Sequence, residues 1–284
     1  MYELRPPSAP LRPFIEHYWF VRADEEPVDL RVDVFVDGRA DLVFNFGDPY
    51  LREVIGGPAV EHTRSNLDAQ RLEPIRISQR GRVRIAGVRF HLGGLGPFVS
   101  RPLRSFTGQT PDPTAVFGDA VRAVEHDLER TDDLDASAAL LDAFFEACLT
   151  RETPFDRFDR ALRCLVDSHG TAGVEEIASA GGVSSRHLER LFARYLGIAP
   201  KMTGRILRFQ RVLRALMRDP GCPLARLAAE AGYFDQAHFI KDFKRMSGGV
   251  PRGYRGYYPP EGPADFAPNV VVFLQDGPRR HGPG

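Results

Sequence analysis

The sequence predicts an α+β protein. A β-rich, sandwich or barrel-like N-terminal domain with two helices should be followed by an all-α domain built on a double helix-turn-helix. Three observations predict this. Short β-branched and aromatic runs, punctuated by Gly and Pro, fill the first ~90 residues. Helical spacing of apolar residues takes over from Val116 and continues to Tyr254. Charge divides too: residues 1–154 carry 18 Lys+Arg against 25 Asp+Glu, and residues 155–256 carry 18 against 10.

The formal net charge of zero therefore hides an acidic part joined to a basic one, and only the basic part is suited to a polyanion. Only three of the basic residues are lysines (Lys201, Lys241, Lys244), a bias that lowers the weight of any single Arg. A chain of 284 residues is long enough for two cores. It holds no run of ~18 apolar residues, and its first residues, "MYELRPPSAPLRPF", lack the pattern of a secretory signal. Three scattered cysteines argue for a reducing compartment and against a disulfide framework or a Cys-rich zinc site. A cytoplasmic location is expected.

The strands come first. "IEHYWFV" (15–21) is aromatic and β-branched; "LRVDVFV" and "ADLVFNF" flank Asp37-Gly38, a hairpin signal. "PIRIS", closing on the turn Gln79-Arg80-Gly81, and "RVRIAGVRF" follow. Helices are expected over Val116–Arg130 and Leu134–Leu149, completing a domain over 1–150 that "TRETPF" (150–155) separates from the next. A domain over 155–256 opens with a helix striped by Phe155, Phe158, Leu162 and Leu165 and ended by His169-Gly170. The tail, 257–284, starts near Pro259-Pro260 and is expected to be partly disordered; within it "NVVVFLQ" (269–275) reads as a strand that docks on the N-terminal sheet.

Inside 155–256 a unit repeats. Val174, Ile177, Ala178 and Gly182 match Leu224, Leu227, Ala228 and Gly232 at an offset of 50, and Ser184 and Leu188 match Asp235 and Phe239 at an offset of 51. Each copy has a small residue where two helices cross, a glycine for the left-handed turn, and an N-cap for the second helix. Hydrophobic staples are expected from Val183 to Leu188 and from Phe234 to Phe239. With the apolar stripe buried, the exposed faces hold Arg186, Glu189, Arg190 and Arg194 in one helix. In the other they hold Gln236, Ala237, His238, Lys241, Lys244 and Arg245. Gln suits adenine, Arg and Lys suit guanine, Glu accepts from cytosine, and Ala touches a thymine methyl. Two solvated amphipathic helices are the plain alternative, but they do not call for turn glycine, cap and basic face twice over. Between the copies, Met202, Ile206, Phe209, Leu213 and Leu216 stripe a linking helix whose polar side carries Lys201, Arg205, Arg208 and Arg211. Ser184, Arg194, Lys201, Arg205, Arg208, Lys244 and Arg245 are the candidates for phosphate contact.

The run "GVEEIASAGGVSSRHLERLFARYLGIAP", the segment "AGYFDQAHFIKDFKR" and the closing "GGVPRGYR" resemble the DNA-binding domain of AraC/XylS-type transcription regulators over residues 157–256. The Ser or Thr usual before each copy's proline is Ala199 and Val250 here, which removes a local cap. The resemblance implies seven helices with two reading heads on a rigid linker. It implies base contacts from Arg186, Glu189 and Arg190 in the first copy and from Gln236, Ala237, His238 and Lys241 in the second. "HYWFVRA", "VDGRADLVFNFGD" and "GVRFHLGG" are similar to a β-rich domain that precedes this module in many regulators, which implies sensing or dimerisation.

Other chemistry is thinly represented. His17, His62 and His91 are far apart in sequence, so neither a metal nor a cofactor is expected. Trp19, Phe44, Phe46 and Phe90 are candidates for a ligand pocket, although aromatic residues at strand spacing also build cores. The glycines of "GVRFHLGGLGP" lack a P-loop context. A DNA-repair methyltransferase needs an activated Cys, and Cys148 and Cys164 lie on apolar helix faces while Cys222 precedes Pro223. The expected function is a non-enzymatic transcription regulator with double-stranded DNA as partner. RNA polymerase, a small-molecule effector and a second copy of the chain (a homodimer) are the further partners for such a protein, and no membrane is involved. The alternative is a β-domain enzyme or protein-interaction module with an accessory helix-turn-helix domain.

Overall fold

A computed structural model describes residues 2–150, 153–219, 221–251 and 270–272. The N-terminal half is organised by two long strands, β2 (Ile15–Val34) and β7 (Ile75–Phe90), paired antiparallel along their length. They bend together: the register shifts between Ala23 and Val28 on β2, opposite Gly81 of β7, whose φ of 89° turns the strand without ending it. Beyond the bend, β7 changes partner. Its second half pairs with β3 (Asp41–Asn45) and its first half with β4 (Tyr50–Val54). β1 (Tyr2–Arg5) adds to β2, β5 (Ala59–His62) to β4, and β6 (Asn66–Asp68) to β3. The β4 sheet is tied across to β6, with Arg52 Nη2 donating to Asp68 at 2.9 Å and Asn66 Nδ2 to the Tyr50 hydroxyl at 2.6 Å. The result is an antiparallel β-sheet domain, as expected, with the strands among the described residues joined in one bent sheet.

Three local expectations change. Asp37-Gly38 is not a hairpin turn, because β2 and β3 lie on opposite sides of β7. Burial alone would raise the Asp37 carboxyl, but Arg89, Arg71 and Arg39 hold it below the usual range, and it ion-pairs with Arg89 inside the domain. Gln79-Arg80-Gly81 is a bend within one strand. The expected helix over Val116–Arg130 is broken at Gly118, φ 76°, into α1 (Pro113–Phe117) and α2 (Ala120–Arg130), ahead of α3 (Leu134–Cys148). Tyr18, Phe44 and Phe90 from the sheet pack with Leu141, Phe144 and Phe145 of α3 in one core.

The C-terminal half is α4 (Thr153–Asp167), α5 (Val174–Gly181), α6 (Ser185–Tyr195), α7 (Pro200–Arg218), α8 (Leu224–Glu230) and α9 (Gln236–Ser247). Ile206, Phe209, Leu213 and Leu216 of α7 are buried, as their spacing requires. In the tail, β8 (Val270–Val272) pairs with Val32–Val34 of β2, the docking expected of that segment. The remainder of 257–284 lies outside the described residues.

The two halves share a core. After β2 the chain leaves the sheet, and Phe35 and Val36, 1% and 0% exposed, enter the helical cluster. The Val36 N–H donates to the Met246 carbonyl at 3.1 Å, and Gln210 Nε2 of α7 donates to the Val36 carbonyl at 2.6 Å. At the other head, the Thr107 hydroxyl donates to the Gly197 carbonyl at 2.9 Å, and Arg194 Nη1 donates to the Arg101 carbonyl at 3.2 Å. Val36→Ala should therefore lower the stability of the helical half by about 2 kcal/mol. Urea unfolding and hydrogen exchange of the α7 amides would read this, and unchanged α7 protection would show the insertion to be passive.

Candidate nucleic-acid interface

Both reading heads are built alike. In the first, Ala178 is buried where α5 meets α6, Gly182 ends α5 at φ 63°, and the Ser184 hydroxyl caps α6 by accepting from His187 N–H at 3.3 Å. In the second, Ala228 is buried, Gly232 has φ 74°, and the Asp235 carboxylate caps α9 by accepting from His238 N–H at 2.7 Å. Leu188, Leu191 and Phe192 face inward on α6, and Phe239, Phe243 and Met246 on α9. The opposite faces are left to solvent.

On α6 that face holds Arg186, Glu189 and Arg190, all exposed. On α9 it holds Gln236, Ala237, His238, Lys241, Lys244 and Arg245, also exposed. The side chains of Arg186, Glu189, Arg190, Gln236, Lys241, Lys244 and Arg245 make no hydrogen bond or ion pair among the described residues, so each retains its donors or acceptors for a ligand. His238 differs: its ring lies edge-on to Tyr233 at 5.4 Å, and Nε2 is 3.8 Å from Asp242.

The residues expected at phosphates divide. Lys201, Lys244 and Arg245 are exposed. Ser184 is engaged as a cap. Three arginines are tied internally. Arg194 reaches Arg101 and stacks on Tyr195 at 4.7 Å. Arg205 grips Asp242 with two N–H groups, and the hydrogen bond raises its pKa. Arg208 donates to the Gly170 carbonyl and lies over Tyr233 at 5.5 Å. These ties position the heads. Asp242, 1% exposed, is the partner that sequence reasoning missed; its place on the apolar side of α9, three residues after Phe239, was the available signal.

The aromatic candidates for a pocket are not gathered round one cavity. Phe44 and Phe90 are fully buried in the N-terminal core, where Phe98 and Phe145 fill the space beside Phe90. Phe46 borders a separate small cleft with Arg84 and Leu128. Trp19 points to the other face of the sheet and lies flat over Gly87, where any Cβ would clash with the indole. The side chains alternate across β2, so Trp19 cannot join Tyr18 and Phe20 on the core face. Among the described residues no group of three His, Cys, Asp or Glu is placed to hold a metal. No helix among them is long and apolar enough to cross a membrane.

A helix-turn-helix domain family matches residues 177–257, and a domain of unknown function (DUF6597) matches residues 3–112. The HTH-type transcriptional regulator GlxA of Rhizobium meliloti (strain 1021) is 34% identical over 79 residues, which are 28% of this chain and 24% of that protein. The chain thus spans about a quarter of that regulator's length. Among solved structures, ToxT from Vibrio cholerae is similar over 81% of this chain and 97% of its own, with 12% identity and a TM-score of 0.44. An AraC-type regulator from Chromobacterium violaceum is similar over 36% of this chain and 93% of its own, with 25% identity and a TM-score of 0.33.

Proposed function

We propose that this chain, whose C-terminal helices form an AraC-type helix-turn-helix domain, is a DNA-binding transcription regulator that reads two successive major grooves under the control of its N-terminal domain. The observation that carries the reading is the duplicated head. Two capped helices, α6 and α9, each present unengaged polar side chains opposite a buried stripe. Arg186, Glu189 and Arg190 read bases from α6; Gln236, Ala237 and Lys241 read them from α9, with His238 at the margin. Lys201, Lys244 and Arg245 hold phosphates, joined by the Ser184 hydroxyl, while Arg194, Arg205 and Arg208 keep the heads in place. The N-terminal domain touches both heads through Phe35, Val36 and Thr107, so a ligand or partner that shifts it would shift them. The protein acts in the cytoplasm, where its DNA is, and catalyses no reaction. The thiols support this, since burial raises both Cys148 and Cys164, away from the reactive thiolate.

The test is to recover the genomic fragments that the full chain retains and to measure binding to them. Saturable binding that falls steeply with salt is expected. Fragments with no shared sequence element would overturn the reading. Arg190→Ala and Gln236→Ala should each change the preferred base at one position and cost about 2 kcal/mol on the best site. Lys201→Ala should weaken all sites alike and flatten the salt slope by ~1. Uniform weakening by all three would mean that the exposed faces do not read sequence.

A further inference from the structure

The two heads differ by one residue. The repeat offset is 50 at the turn glycines and 51 at the caps, so the second turn carries a residue that the first lacks. The structure identifies it. Val183 follows Gly182 and packs against the helical core. After Gly232 that place is taken by Tyr233, 6% exposed, with its ring edge-on to Phe239 at 5.5 Å. The expected staple from Phe234 to Phe239 is thus replaced by one from Tyr233, and Phe234 is the surplus residue. It is 94% exposed, whereas the next most exposed large apolar side chain among the described residues, Val60, is 55% exposed. Phe234 immediately precedes the cap Asp235, and its neighbours on the exposed side are Gln236 and Ala237. Packing has no use for this ring, and it stands at the end of the helix proposed to enter DNA.

We propose that Phe234 is a specificity-determining residue whose ring contacts a thymine methyl in the major groove entered by α9. The proposal rests on the reading above. The chemistry follows from the groove: a phenyl ring neither donates nor accepts a strong hydrogen bond, and the C5-methyl of thymine is the apolar feature that base edges present there. Because Gln236 and Ala237 follow the ring on the exposed side of α9, the major groove is the one concerned, and a wedge between base steps from the minor groove is not.

The experiment uses the full chain and the duplex it selects from random-sequence DNA. Each thymine of that duplex is replaced in turn by 2′-deoxyuridine, which removes only the methyl. Binding is then measured for the parent protein and for Phe234→Ala. At one thymine in the α9 half, loss of the methyl should weaken the parent protein about fourfold, the worth of one buried methyl group. Phe234→Ala should bind the unmodified duplex more weakly by at least that factor, be indifferent to deoxyuridine at that position, and unfold at the parent's urea midpoint. Identical deoxyuridine profiles for the two proteins would overturn the proposal, as would a lowered urea midpoint that accounts for the weaker binding. Full affinity in Phe234→Ala would overturn it too, and would leave the ring to another protein. Failure to select any duplex would instead overturn the regulator reading, and this inference with it.

Discussion

Inserting about 5 bp between the two contacted elements should lower the affinity of the unaltered chain by on the order of 4 kcal/mol, roughly a thousandfold. Successive major grooves recur on one face of the duplex about every 10.5 bp, or ~34 Å, so half a turn carries the second element to the far side. The effect depends on a stiff connection, and the structure supplies one. Helix α7 has 19 residues, which makes it about 28 Å long. Phe209 meets Phe243 of the second head at 5.3 Å, and Arg205 holds Asp242 on the same helix. Next to Arg205 on α7, Gly204 lies against Gly170 of the segment between α4 and α5, so close that a Cβ on Gly170 would meet the Gly204 carbonyl. Gln210 is anchored in turn to Val36 of the N-terminal half. Gel-shift or anisotropy titrations on spaced duplexes would measure the penalty. Tolerance of the half-turn insertion would mean that one head binds alone, or that α7 bends.

Arg205→Ala should destabilise the folded chain by about 3 kcal/mol without any DNA present, because it leaves a buried carboxylate unpaired. Asp242 is 1% exposed and accepts two N–H groups from Arg205, with His238 too distant to replace them. Adding Asp242→Leu to Arg205→Ala should restore most of the lost stability. Urea midpoints for the parent, Arg205→Ala and the double variant would check both statements. A surface role for Arg205 would instead give parent-like stability.

The contrast between Arg205 and Lys201 shows what was legible in the sequence. Apolar periodicity marked α4, α6, α7 and α9, because a buried stripe has a fixed spacing. The turn glycines Gly182 and Gly232 and the caps Ser184 and Asp235 were legible because few residue types suit those conformations. A charged residue on a polar face carries no such sign of its partner, so Arg194, Arg205 and Arg208 looked like phosphate ligands as much as Lys201 did. The strands were legible as segments but not as partners: β7 runs between β2 and β3, and the pairing of distant segments leaves little trace in local residue order. Gly81 read as a turn because a left-handed glycine marks a bend inside a strand as readily as its end. Phe35 and Val36 continue the alternation of β2 so smoothly that nothing announced their departure from the sheet. The surplus residue before Asp235 was visible as a shift in the repeat, but which of Tyr233 and Phe234 would turn outward was decided by packing.

The entry of Phe35 and Val36 into the helical core bears on how this chain can be recombined. Helix-turn-helix modules are commonly treated as portable parts, to be grafted onto a chosen sensor. Here the socket that receives the two side chains lies among α7, α9 and their neighbours, while its filling comes from the other half of the chain. A chimaera that joins residues 153–256 to a foreign N-terminal domain inherits that socket empty. It also leaves Gln210 and the Met246 carbonyl without partners, unless the graft carries an equivalent of residues 35–36.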